Sequence, residues 1–131
     1  MNLTNEQIDK MGAGREMDAI IAEKVMGFEM SNLSLPAYPK IHLADGITGE
    51  IDPYYSKDCP YYSTDIADAW GVVEKLGKSG FDVNIEWKGE TRVYSGTSEV
   101  AVIKGIYCVG HGVGTAPLAI CRAALKAVIN A

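Results

Sequence analysis

The sequence predicts an α+β fold, with three main helices packed on a mainly antiparallel sheet. Three observations carry this. Apolar residues recur at helical spacing over 17–28 and again over 66–76. They alternate strictly from Phe81 to Trp87, as in a strand with one buried face. The segment from Leu118 to Val128 is apolar on nearly every side, as in a helix covered from several directions. With 131 residues, 47% of them hydrophobic and 22% charged, the chain suits a single domain over 1–131.

Thr4-Asn5-Glu6-Gln7 reads as a capping box, so a first helical turn starts there. Gly12 and Gly14 interrupt it. A stronger run then places Met17, Ile20, Ile21, Val25 and Phe28 on one face, with Gly27 as the stop. Residues 29–62 keep no period. They form a tyrosine- and proline-rich insertion containing Pro36, Pro39, Pro53 and Pro60, with a short strand expected around Ile41 and Leu43. Pro53-Tyr54-Tyr55-Ser56 is nearly repeated as Pro60-Tyr61-Tyr62-Ser63.

The second copy leads into a helix, with Ser63 as N-cap and Asp65 in the first turn. Its stripe of Ile66, Ala69, Trp70, Val73 and Leu76 reads as core. Phe81–Trp87 and Thr91–Ser95 read as a hairpin about Lys88-Gly89-Glu90, followed by a strand from Val100 to Val109 with a break near Gly105. Gly110-His111-Gly112-Val113-Gly114-Thr115 reads as a turn into the last helix, whose polar residues Arg122, Lys126 and Asn130 recur every four. That helix is expected between the sheet and another helix, or against a second subunit as a homo-oligomer interface.

Charge and cysteine usage exclude several functions. A net charge of −5 disfavours a general grip on nucleic acid. Cys59, Cys108 and Cys121 lie far apart and read as free thiols, with no metal-ligand spacing. No apolar run is long enough to cross a membrane, and the N-terminus lacks the features of a signal peptide. A cytoplasmic location, without membrane attachment or cofactor, is the expectation.

Three segments together resemble the phage ABA sandwich family of small phage and prophage proteins. They are Gly14-Arg15-Glu16-Met17-Asp18 running into Ala22–Gly27, Tyr62–Ala67 with Ala69-Trp70 and Val73–Leu76, and Thr115–Leu125. The resemblance implies an α-β-α sandwich with helices around a central sheet, and a phage origin in a bacterial host. It implies no settled activity.

Candidate site residues fall in two groups. His111, Gly112, Gly114 and Thr115 precede a helix, where backbone N–H groups can hold a phosphate; the other reading is a plain strand-to-helix turn. Tyr54, Tyr55, Tyr61 and Tyr62 offer faces for stacking on a base, or else pin the loop to the core. Ser63, Thr64 and Asp65 serve as caps, with Asp65 also able to accept from a ribose hydroxyl or an amine. Arg15 pairs with Asp18 or Glu16, or reaches an anionic ligand. Arg122 is a phosphate contact or an interface contact.

No catalytic motif is present, and His111 would need folding to bring it to Ser63 or Asp65. The leading expectation is therefore a protein that is not an enzyme. It would sequester a nucleotide-type host immune signal, an ADP-ribose derivative or a cyclic nucleotide, and so counter antiviral defence. The alternatives are a protein–protein interaction module and a nucleotide-cleaving enzyme.

Overall fold

The computed structural model describes residues 3–31, 38–44, 48–49, 51–90 and 95–130, with backbone alone at 44, 51–55, 88–90 and 95–96. The capping box forms as read. Thr4 Oγ1 accepts from the Gln7 N–H at 3.2 Å, and Gln7 Oε1 accepts from the Thr4 N–H at 2.9 Å. It opens α1 (Asn5–Lys10), and α2 (Arg15–Lys24) follows the glycine break.

The region 29–62 contains two strands, β1 (Lys40–Ala44) and β2 (Ile51–Asp58), which pair antiparallel. The first was expected around Ile41 and Leu43; the second was not. β2 carries two consecutive tyrosines in a run whose pairing is set across the chain rather than locally.

The helix α3 (Ile66–Lys78) is capped by Asp65, whose carboxylate accepts from the N–H groups of Ala67 at 2.8 Å and Asp68 at 3.1 Å. This corrects the assignment of Ser63 as N-cap: the helix starts two residues later, and Ser63 is fully buried elsewhere. Trp70 is a second correction. It is 50% exposed, while Ala69, Val72 and Leu76 form the buried face of α3.

β3 (Asp82–Glu90), β4 (Ser95–Lys104) and β5 (Tyr107–Gly114) form an antiparallel sheet in the order β3-β4-β5. Residues 91–94, part of the expected return strand, lie outside the described residues. The expected break at Gly105 is the β4–β5 hairpin, where Gly105 sits at φ +67°.

The main correction concerns the glycine-rich run. Instead of a turn it is the body of β5, with Gly110 opposite Val102, Gly112 opposite Val100 and Gly114 opposite Ser98. The last helix, α4 (Ala116–Asn130), lies directly against it. A Cβ at Gly110 would overlap the Ala123 carbonyl oxygen and stand 2.8 Å from the Ala127 nitrogen. A Cβ at Gly112 would overlap the Ala119 carbonyl oxygen and stand 2.7 Å from the Ala123 nitrogen. Glycines two apart on a strand meet alanines four apart on a helix, and backbone packs on backbone.

α4 is the hub. It packs on β4 and β5, on α3, and on α1 and α2. Leu118–Cys121 and Ala123–Ala127 are all buried. Its own chain therefore covers these residues, as in the reading that placed α4 between the sheet and another helix.

The polar stripe of α4 is a seam. Arg122 donates to the Val113 carbonyl at 2.7 Å and the Met11 carbonyl at 2.9 Å. Lys126 donates to the His111 carbonyl at 2.7 Å and pairs with Asp9 at 2.6 Å. Asn130 donates to Asn5 Oδ1 at 3.0 Å. Three residues spaced by four thus tie α4 to the edge of β5 and to the α1 segment.

Candidate functional site

At the start of α2 the backbone of Gly14 adopts φ +155°, a region that favours glycine. Gly14 N–H donates to Ser63 Oγ at 2.9 Å, and its carbonyl oxygen lies 3.1 Å from the same Oγ. One turn on, Asp18 is fully buried. Its Oδ1 accepts from Ser63 Oγ at 2.6 Å and the Ser63 N–H at 2.7 Å. Its Oδ2 accepts from Arg15 Nη1 at 2.7 Å. A buried carboxylate is costly unless paired and fully hydrogen-bonded, and both oxygens here are served.

Arg15 continues the network outward. Its guanidinium donates to the carbonyls of Cys59 and Pro60 and lies 3.9 Å from the centre of the Tyr61 ring. The Tyr61 N–H is held by Asp68 Oδ2 at 2.8 Å. Segment 59–63 is thus clamped from both sides, which leaves the Tyr61 ring half-exposed against a fixed cation. Beside it opens a hollow of about 210 Å³, lined by Arg15, Tyr38, Pro39, Asp58 and Tyr61. Tyr38 is 69% exposed, and the Asp58 side chain faces solvent while pairing with Lys40 at 3.3 Å. Two aromatic faces, a held guanidinium and a carboxylate therefore share one concave surface.

Behind this corner lie groups that hold their protons. Burial pushes the Cys59 thiol from 9.0 up to about 11, against the lowering pull of Arg15. Burial also pushes the Tyr62 phenol and the Cys121 thiol upward. These are inert packing groups rather than nucleophiles.

The expected site residues separate into distinct places. Arg15 and Tyr61 line the hollow. Ser63 lies beneath it as part of the Asp18 network, Tyr62 is buried core, Thr64 is exposed, and Asp65 is spent on capping α3. Tyr54 and Tyr55 lie in β2, with side chains outside the described part of the structure. His111 lines a second hollow, of about 200 Å³, with Asn5, Cys108, Val109, Gly110 and Lys126. The two hollows share no residue.

The phosphate cradle at Gly112 and Gly114 is corrected by the fold. Both glycines belong to the β4–β5 ladder, and Gly112 is closed over by α4. Thr115 stands at the start of α4, where its carbonyl accepts from the Ala119 N–H at 2.8 Å. Arg122 is committed to two backbone carbonyls, and its Nε is buried without a partner. Ser63 is sealed from solvent and bonded to Asp18 and Gly14, with no imidazole in that network. Sequence reasoning missed Tyr38 and Asp58. The prolines flanking Tyr38 were the one local hint; its approach to Arg15 is a product of folding.

The fold and the hollow define a small mixed α+β domain with a surface site of aromatic, cationic and acidic side chains. The phage ABA sandwich domain model matches residues 19–125, and the chain belongs to that family. A crystal structure of a phage protein from Bacillus cereus ATCC 14579 is similar, with 28% identity and a TM-score of 0.58. The match covers 90% of this chain and 94% of that one. No curated protein matches.

Proposed function

We propose that this phage-family protein binds a small nucleotide-type molecule in the hollow between Tyr38 and Tyr61, and holds it without turnover. The observation that carries this reading is Arg15, fixed 3.9 Å over the Tyr61 ring at the rim of a hollow that also contains Tyr38 and Asp58. Aromatic faces stack on a base with little sequence demand. The carboxylate of Asp58 accepts from ribose hydroxyls, and the guanidinium edge meets a phosphate. Because Asp18 already neutralises Arg15, the arginine supplies geometry more than net charge. At about 210 Å³ the hollow is below the roughly 300–1,000 Å³ of drug-sized sites. It seats one ring system and leaves the rest of the ligand at the surface.

In a phage protein such a site suits sequestration of a host immune signal in the bacterial cytoplasm, an ADP-ribose derivative or a cyclic nucleotide. Calorimetry against a panel of ADP-ribose derivatives and cyclic nucleotides tests it. The expected result is a micromolar dissociation constant for at least one member, with the ligand recovered intact by chromatography after heating. A panel with no binding tighter than millimolar, or a ligand returned cleaved, overturns the reading.

A further inference from the structure

The charges around the Tyr38–Tyr61 hollow cancel one another. Arg15 is paired with the fully buried Asp18 at 2.7 Å. Lys40 is paired with Asp58 at 3.3 Å. A third carboxylate, Asp68, holds the Tyr61 N–H at 2.8 Å. Lys57 is next to Asp58 in β2, but successive strand residues point to opposite faces. Lys57 stands across from the buried Ile41, and Asp58 across from Lys40. Residues 32–37, which lead into Tyr38, carry no charged side chain. Among the described residues that form or brace the hollow, two cations thus meet three carboxylates, in a chain of net charge −5. Arg15 also donates to the carbonyls of Cys59 and Pro60 as well as to Asp18. Three of the five N–H donors of a guanidinium are thereby occupied, and two donors serve one phosphate group.

A phosphate gains attraction only from cationic charge that is not already neutralised nearby. What the hollow offers instead is two aromatic faces and an acceptor, which match a base and a sugar. Lys40 lies against Asp58 Oδ1, which leaves Oδ2 to accept from a ribose hydroxyl. We infer that the hollow takes the nucleoside part of its ligand, base and ribose with at most one phosphate, and that further phosphates add nothing to binding. This rests on the nucleotide-binding reading above and narrows it. The recognised class is the ribonucleoside, and the phosphate chain beyond the first group lies in solvent.

Calorimetry of the full chain without divalent cations tests it, using the 5′-mono- and 5′-triphosphates of adenosine, guanosine, cytidine and uridine. At least one pair is expected to bind, with dissociation constants for its two members within about threefold of each other. Raising salt from about 50 to 200 mM is expected to shift them by no more than about twofold, unlike contacts that neutralise several phosphates. Asp58→Asn leaves Lys40 without its acid. In that variant the triphosphate is expected to bind about fivefold tighter than the monophosphate, with a salt dependence to match. Circular dichroism verifies that the variant is folded, and the wild-type comparison decides if the variant loses binding altogether. A wild-type triphosphate that binds tighter than its monophosphate by more than about threefold overturns the inference and leaves the nucleotide reading standing. So does binding of an ADP-ribose derivative or a cyclic nucleotide when none of these mono- and triphosphates binds. A variant that binds both members of a pair equally also overturns it, because the Lys40 charge would then count for nothing. No binding by any ligand of either set removes the nucleotide reading itself, and this inference with it.

Discussion

At the start of α2, Gly14, Asp18 and Ser63 lock a turn so that Arg15 and Tyr61 stay in place at the surface. Along β5, Gly110 and Gly112 remove side chains so that a strand and a helix meet backbone to backbone. In the first region the glycine frees a backbone angle, and the polar groups position a surface. In the second the glycines supply space, and Arg122 and Lys126 close a sheet edge. Similar residue types thus serve surface geometry in one place and packing in the other.

The sharpest way to break this contrast is Gly112→Val. A side chain there collides with the backbone of α4, which cannot yield as a flexible side chain would. The expected cost exceeds about 4 kcal/mol, enough to abolish folded protein, as read by urea denaturation or soluble yield. A phosphate-binding turn would tolerate the change with a far smaller loss of stability.

Asp18→Ala is expected to cost about 3–5 kcal/mol in the same assay, because it strands the Arg15 guanidinium and the buried Ser63 hydroxyl together. It should also free Tyr61, so intrinsic tyrosine fluorescence changes before the unfolding transition.

Raising pH probes the core behind the hollow. In Cys59, Tyr62 and Cys121 the folded state holds the proton more tightly than the unfolded chain does. Their contribution to stability is complete below the unfolded thiol value of 9.0. For Cys59 it is lost as pH rises from there through about 11. Urea midpoints should therefore fall across that window, and Cys59→Ala should flatten part of the decline. Over the same range the exposed Cys108 reacts with a thiol reagent well before Cys59.

Tyr61→Ala is the mildest change to stability, about 0.5–1 kcal/mol for the lost contact with Arg15. Its effect on calorimetric binding is expected to be tenfold or more. Equal binding by this variant would remove the hollow from consideration.

What could be read from the sequence was what neighbouring residues decide among themselves. The capping box at Thr4 and Gln7, the strand alternation at 81–87 and the division of helices at Gly12–Gly14 all depend on residues a few positions apart. The Arg15–Asp18 pair was visible as a helix spacing; that Asp18 is buried and shared with Ser63 was not, because those two are 45 residues apart. The glycine run was misread because glycine carries little strand preference. Its extended form comes from pairing with β4 and from the approach of α4. Trp70 lay on an apolar stripe, but only the packed neighbours decide how much of a stripe is covered.

The central place of α4 has a consequence for synthesis on the ribosome. Three earlier helices and the strands β4 and β5 pack on this last helix, so their core closes only when it arrives. Those helices and the β4–β5 hairpin must therefore wait, and acquire lasting order together in a late step. A nascent chain halted before Ala116 should be cut readily by proteases, whereas one released past Asn130 should resist them.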